Sequence, residues 1–353
     1  MSRETLSWLN QNVLVGFTNK RGHAWHYKMS EQGSEPNHYE MEVPVADVER
    51  RLFFWDARSY PVTITVETGL DDPEIDGLDP ETGTPIKHVV LEDHQAIGRS
   101  DTNEVWKVFK SSYAIHQYRE WLLDSVGNLI DDDLSIASAG LLQNGGVAWV
   151  SIEMPDNIET PQGFSVRPQL LATTSHNGTL ATTFKMTATA VVCDNTLQWG
   201  LAGSGQMFKA RHSKHSGFKL QSAREALNIV HIAGDSITAE IERLSNVKVS
   251  DVDYGRLVKM IYPVPTLETS NDAGVTRATN KQANLNTLWK EDERVAPWKG
   301  TALGVLQAFN TFNHHYVGTD KNRAERNMLN ALNGKTQKSD AEVLTLLDGL
   351  VSV

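Results

Sequence analysis

Two turn signatures in the middle of the chain constrain its fold more than any other feature. Asn144-Gly145-Gly146 lies between two strand-like runs, Leu134 to Leu142 and Val147 to Glu153. His176-Asn177-Gly178 lies between Phe164 to Thr173 and Thr179 to Val192. Asn-Gly pairs supply the backbone conformations that tight hairpin turns need and most residues resist. Within the last run, Thr182-Thr-Phe-Lys-Met-Thr-Ala-Thr-Ala-Val-Val192 is one of the longest β signals in the chain. Two successive hairpins of this kind build an antiparallel sheet.

The flanks extend this core differently on each side. Upstream, Val45, Val48, Leu52 and Phe53 recur at helical spacing after Pro44, which predicts a helix over Pro44 to Trp55. Val62-Thr-Ile-Thr-Val66 reads as a strand, Gly69 to Pro85 as an acidic surface loop, His88 to Gly98 as strand or loop, and Val105 to Phe109 alternates. Ile115, Tyr118, Leu122 and Leu123 share a face and predict a helix over Ile115 to Leu129. Pro155 to Gln162 reads as a loop, and Asp194 or Asn195 is placed to cap a short helix through Leu201. Downstream, helices are expected over Ser222–Leu244, Asp251–Ile261, Asn280–Trp289, Thr301–Tyr316, Lys321–Leu332 and Ser339–Leu350. The fold class is therefore α+β. A β-rich region over residues 1–220 carries hairpins and a packed helix, and an all-helical region over residues 221–353 follows.

Length and composition fit a protein with a large core. A chain of 353 residues that is 40% hydrophobic and 22% charged can bury one, and its length predicts two domains or one domain with an extension. No apolar run approaches the ~18 residues of a membrane span, and the first residues lack a signal-peptide core. One cysteine excludes an internal disulfide framework and a cysteine-based zinc site. The expectation is a protein of the cytoplasm with no membrane partner.

Charge is unevenly distributed. The chain carries −11 overall, yet residues 160–224 hold one acid, Asp194, against seven basic residues, a net of +6 that leaves −17 for the remainder. Such segregation marks either an anion-facing surface or a sheet too buried for carboxylates. Through Val192 the second cause applies, with Arg167 and Lys185 inside strands. From Asn195 to Arg224 five basic residues, Lys209, Arg211, Lys214, Lys219 and Arg224, occur without an acid and are interleaved with Phe208 and Phe218. Cations track phosphates and aromatic rings stack on unpaired bases, so this is the composition of a single-strand groove. A solvated basic loop, or one paired with acidic surface, has the same composition.

Other motifs fail on context. Gly334-Lys335-Thr336 ends like a phosphate loop, but Leu329 stands where its first glycine is required and a helix precedes it. Gly200, Gly203 and Gly205 follow a helix signal instead of opening one, against a dinucleotide site. His23 with His26, His212 with His215, and adjacent His314 and His315 could ligate metal only by convergence, and packing or basic-surface roles account for them. Asp131-Asp132-Asp133 reads as a solvated turn, and Cys193 as a small core residue without an identifiable catalytic partner. No cofactor is implied, no catalytic residue is assigned and no metal ligand is assigned.

Ser175-His-Asn-Gly178, a strand of about a dozen residues, then Val191-Val-Cys-Asp-Asn-Thr-Leu197 resembles the phage/plasmid-like protein family, domain of unknown function family nine hundred and thirty-two. Gly22-His-Ala-Trp-His26, Val108 to Tyr118 and Gly145-Gly-Val-Ala-Trp149 follow the family order, so the resemblance covers roughly residues 10–230. Ala190 departs from it, because relatives often carry arginine there. The resemblance implies a phage, plasmid or mobile-region origin and action in the bacterial cytoplasm, and transfers no activity. The leading functional expectation is a non-enzymatic nucleic-acid-binding protein, for single-strand binding or annealing. The alternatives are an interaction protein, acting on a host or phage protein or assembling as a homo-oligomer, and, behind it, a metal-dependent nuclease using His23, His26 or the Asp131 to Asp133 turn.

Overall fold

The structure is a computed structural model. It describes residues 11–21, 30, 32–124, 134–153, 157–163, 165–190, 195–197, 207–210, 212, 237–266, 270–319 and 323–351. The expected hairpins form. Strands β6 (Ser135–Leu142) and β7 (Val147–Glu153) pair across the first turn, and β9 (Ser165–Ser175) and β10 (Thr182–Ala190) across the second. Gln143, Asn144 and Gly145 all take positive φ, as does Gly178. Since β7 also pairs with β9, the two hairpins join into one antiparallel sheet. Its order is β1-β6-β7-β9-β10-β11, with β1 (Val13–Val15) at one edge. At the other edge, β11 (Asn195–Leu197) and β12 (Met207–Ala210) both pair with β10, and β8 (Ile158–Glu159) pairs with β9.

A second sheet is built on β4 (Pro85–Arg99). β2 (Ala57–Glu67) lies on one side of it, and β3 (Gly77–Leu78) and β5 (Val105–Lys110) pair with the other. Short helices α1 (Thr18–Arg21) and α2 (Val45–Arg51) precede it. The C-terminal part is helical: a stretch over 237–246, then α3 (Asp251–Ile261), α4 (Asp272–Glu291), α5 (Ala302–Thr311), α6 (Arg323–Asn333) and α7 (Lys335–Val351). Side chains fix three of the starts. Ser250, Asn271 and Thr301 accept from the backbone N–H of Asp253, Gly274 and Gly304, satisfying donors that a helix leaves unpaired. Every residue of α5 is buried, so it forms the axis of the helical region.

One apolar cluster runs from Leu14 through the large sheet (Ile136, Val150, Phe184) into the helices (Leu257, Leu306, Phe309, Leu347). The other face of the sheet packs Val13, Leu142, Trp149 and Leu171 against Leu332 of α6. The expected domain boundary near residue 220 lies outside the described residues.

Three local expectations are corrected. Asn195 to Leu197 is strand, not the start of a helix, because the open edge of β10 pairs with it at Ala188 to Ala190 and outweighs a cap signal. Helix does not begin at Ile115. A π-helical turn spans Arg119–Asp124, since both ends of the Gln117 amide bond the backbone of Ala57 and hold the preceding segment extended. The loops over 69–85 and 155–162 each contribute a two-residue strand, β3 and β8.

Candidate functional site: a histidine junction at the root of the basic segment

Of the expected nucleic-acid-binding residues, the structure places Phe208 and Lys209. Both lie on edge strand β12, where their backbones pair opposite Phe184 and Thr183 of β10. Arg211, Lys214, Phe218, Lys219 and Arg224 lie outside the described residues. So do His23, His26, His215, Asp131, Asp132, Asp133 and Cys193 among the metal and nucleophile candidates.

The two strand cations are accounted for by burial. Arg167 in β9 donates from Nε to Asn157 Oδ1 at 3.0 Å and lies 3.7 Å from the buried carboxylate of Glu153 in β7. Lys185 in β10 is 4% exposed, and its ammonium donates to the carbonyls of Ala331 and Leu332 at the end of α6. Cations there complement the carbonyl end of the helix dipole. Neither residue faces a partner in solution.

His212 is where the basic segment meets the fold. Its ring stacks between Tyr113 (centroids 4.9 Å) and His116 (4.1 Å). Phe109 stacks on the far side of Tyr113 at 4.0 Å, and Trp121 on the far side of His116 at 3.6 Å. Five rings from β5, the segment after it, the π-helical turn and residue 212 thus form one continuous column. Stacked aromatic contacts add to the apolar area that such rings bury.

Hydrogen-bond directions along this column follow from valence. His212 Nδ1 lies 3.1 Å from the Ala114 carbonyl, which can only accept, so Nδ1 carries the proton. In neutral His212, Nε2 then accepts from Thr174 Oγ1 at 3.1 Å. Thr174 Oγ1 in turn accepts from Thr182 Oγ1 at 2.7 Å, and Thr182 accepts from His116 Nδ1 at 2.7 Å. The chain His116–Thr182–Thr174–His212–Ala114 runs in one direction and links both strands of the second hairpin to the segment after β5. Bonds aligned in this way polarise one another.

The Ser175-His-Asn-Gly178 turn adjoins the column. His176 is fully buried, stacked on Tyr118 at 3.9 Å and on Trp106 at 5.4 Å, with the edge of Trp55 at 6.1 Å. Its ring nitrogens have no hydrogen-bond partner, while its backbone N–H donates to Gly146 O at 2.9 Å and ties the two hairpin turns together. Tyr113 and Tyr118 hydroxyls donate to Ser175 O and Gly145 O. Gly178 has φ +71, and a Cβ there would sit 2.6 Å from the Phe109 ring. Glycine is thus required twice over, by backbone conformation and by space.

Electrostatically the junction keeps its imidazoles neutral. Burial, then the proximity of His212, pushes His116 down to about 3. Burial, then His212 and His116, holds His176 well below the ordinary value, and burial lowers His212. Tyr113 and Tyr118 are pushed above the usual phenol range by burial. The Thr174 and Thr182 side chains are fully buried. The arrangement fastens two sheets and the root of the basic segment, and among the described residues it holds no exposed nucleophile beside a base.

The sequence weighed His212 with His215 as a metal pair and read both as part of a basic surface. The structure instead makes it a stacking and hydrogen-bonding anchor. His116 and the ring column were missed, since their spacing of 96 residues leaves no local pattern. The Ser-His-Asn-Gly turn was the one signal pointing here. His314, in the π-helical turn Phe312–Tyr316 that follows α5, is buried and pushed down to about 4 by burial first, and its carbonyl accepts from Asn327. Among the described residues no three His, Cys, Asp or Glu side chains gather closely enough to hold a metal ion. No described helix is long and apolar enough to cross a membrane.

The described residues define an α+β protein, an antiparallel sheet followed by helices. The model for a domain of unknown function (DUF932) matches residues 105–333. The chain belongs to this family. The match begins later than the expected resemblance and extends through the helices to α6, taking in both hairpins and the histidine junction. Neither the curated proteins nor the solved structures contain a match to the chain.

Proposed function

We propose that this is a non-enzymatic nucleic-acid-binding protein of a phage or other mobile element, acting on single strands in the bacterial cytoplasm. The observation that carries this reading is the acid-free run from Asn195 to Arg224 with its five cations. Burial explains Arg167 and Lys185, so these no longer count toward a charged surface. The cations that follow β12 lie outside the described residues, and their composition carries the reading. The root of the run is supported on a sheet edge, by pairing of β12 with β10 and by the His212 anchor. A rigid root lowers the ordering cost when a chain binds a flexible partner.

Fluorescence anisotropy with labelled single-stranded DNA tests this. Five phosphate contacts give a slope of about −3.5 in log affinity against log salt, a loss of roughly a hundredfold between 50 and 200 mM. Lys209→Glu, Arg211→Glu and Lys214→Glu together should weaken binding and flatten that slope. Binding that ignores both salt and these substitutions refutes the proposal.

A second reading, an interaction or self-assembling protein, has its own support. No residue from 58 to 95 is buried, so β2, β3 and most of β4 form an arm without a core of its own. Ile64, Val89, Val90, Leu70 and Leu78 are exposed on it. A hairpin ribbon of this size is marginal in water without something packed on it. Sedimentation velocity of the parent and of I64K/V89K distinguishes the readings: self-association lost in the variant favours assembly through the arm, and a monomer in both removes it.

A further inference from the structure

A cleft of about 380 Å³ opens where the two hairpin turns meet the junction of α6 and α7. Gln143, Thr179 and Leu180 of the turns form one wall, and Arg326, Leu329 and Asn330 of α6 with Lys335 of α7 form the other. The wall from the turns is tied in place. Asn177 of the Ser-His-Asn-Gly turn donates through Nδ2 to Gln143 Oε1 at 2.6 Å, which leaves the Gln143 Nε2 group as an open donor. Glu325, the one acid among the described lining residues, is buried and accepts from the Gln143 backbone N–H at 3.3 Å.

Arg326 is the unexplained group. Nη2 donates to Asn313 O at 2.7 Å and to Asn327 Oδ1 at 2.8 Å, but Nε and Nη1 are buried without a partner. Burial and the neighbouring Arg323 both work against its charge. A guanidinium with idle donors is costly unless an acceptor arrives, and one that is also anionic repays most. Lys335 adds a second cation at the mouth, so the lining holds two cations against one committed carboxylate. The remaining surface is not that of a simple ion site. Leu180 and Leu329 offer an apolar face, and the Gln143 Nε2 donor and the Asn330 carboxamide offer hydrogen-bonding groups of the kind that read base edges. The volume falls in the range of small-molecule sites.

The structure assigns this cleft as a binding site for a nucleoside monophosphate, its phosphate on Arg326 and Lys335 and its base against Leu180 and Leu329, with Gln143 and Asn330 at the base edge. The same chemistry is presented by a free mononucleotide and by the 5′-phosphorylated end of a strand.

Isothermal titration of the full chain with the four common nucleoside monophosphates, adenosine and inorganic phosphate tests it. At least one monophosphate should bind saturably at one site, more tightly than adenosine or phosphate. Lys335→Gln, at an exposed position, and Arg326→Lys should each weaken it about tenfold, the loss expected for one charge-assisted contact. Asn330→Leu should weaken the nucleotide while leaving phosphate unchanged. Competition by a 5′-phosphorylated tetranucleotide, set against its dephosphorylated form, tells a strand end from a free nucleotide. No saturable heat at millimolar ligand, phosphate binding as tightly as nucleotide, or unchanged affinity in both charge variants overturns the assignment. Lys209→Glu should leave mononucleotide affinity intact, so this site and the proposed single-strand surface can fail separately.

Discussion

The neutral histidines make a quantitative demand on the pH dependence of stability. An unfolded histidine titrates near 6.5. His116 is pushed down to about 3 and His314 to about 4 by burial, and His176 lies well below the ordinary value. Folded values below the unfolded ones mean that the unfolded chain takes up protons first. The stabilisation is complete above about pH 6.5 and is lost as pH falls toward the folded values. At pH 5 His116 and His314 have each given up about 2 kcal/mol, or about 4 kcal/mol together, against a total of about 5–15 for a typical domain, and His176 acts in the same direction. His212, also lowered, acts in the same direction. Paired carboxylates such as Asp47, Asp101 and Asp292 lose their contribution only near and below their ordinary values around 4, so they leave this window to histidine. Urea titrations followed by tryptophan fluorescence at pH 7.5 and 5.0 measure the loss. His116→Phe keeps a ring between Trp121 and His212 and should shrink the loss by about 2 kcal/mol. A protein whose stability changes by less than about 1 kcal/mol between these pH values refutes the argument.

Thr182→Val replaces the central hydroxyl of the hydrogen-bonded chain with a methyl of the same shape, and removes the acceptor of His116 Nδ1 and the donor to Thr174 Oγ1, which keeps its bond to His212. It should cost about 2–4 kcal/mol in urea unfolding, with much of this recovered when His116→Phe is added. Gly178→Ala meets both a positive φ and the Phe109 ring, and should lower the melting temperature by several degrees in calorimetry, corresponding to about 1–3 kcal/mol. Lys185→Ala leaves the final carbonyls of α6 without their ammonium donor. Hydrogen exchange should then show α6 opening more readily while α5 stays protected; equal protection of α6 in both proteins would count against the cap.

Much of the architecture was legible because it is encoded locally. Asn144-Gly145-Gly146 and His176-Asn177-Gly178 carry the backbone freedom that hairpins require, and both hairpins form where expected. Helical spacing located α3 to the residue, since Asp251 follows a capping serine and Leu257 and Val258 fall on the buried face. Asn195 shows the limit. Its cap propensity is worth about 1 kcal/mol, and the hydrogen bonds offered by the open edge of β10 exceed it. The π-helical turn at Arg119–Asp124 likewise depends on where Gln117 finds a backbone to bond, 60 residues away at Ala57.

The candidate sites divide in the same way. The charge asymmetry of residues 160–224 is a fact of composition. Tertiary packing accounts for the cations of its first half, by enclosing Arg167 beside Glu153 and Lys185 beneath α6. The histidine junction draws on residues 116, 174, 176, 182 and 212, and the cleft on residues 143, 180, 326 and 335. By itself the sequence determined the antiparallel hairpins, the helical C-terminal half and the family turn, because these rest on local backbone preference and on periodicity. The structure alone decided which histidines are neutral and that Arg167 and Lys185 are buried. Those properties depend on burial and on neighbours distant along the chain.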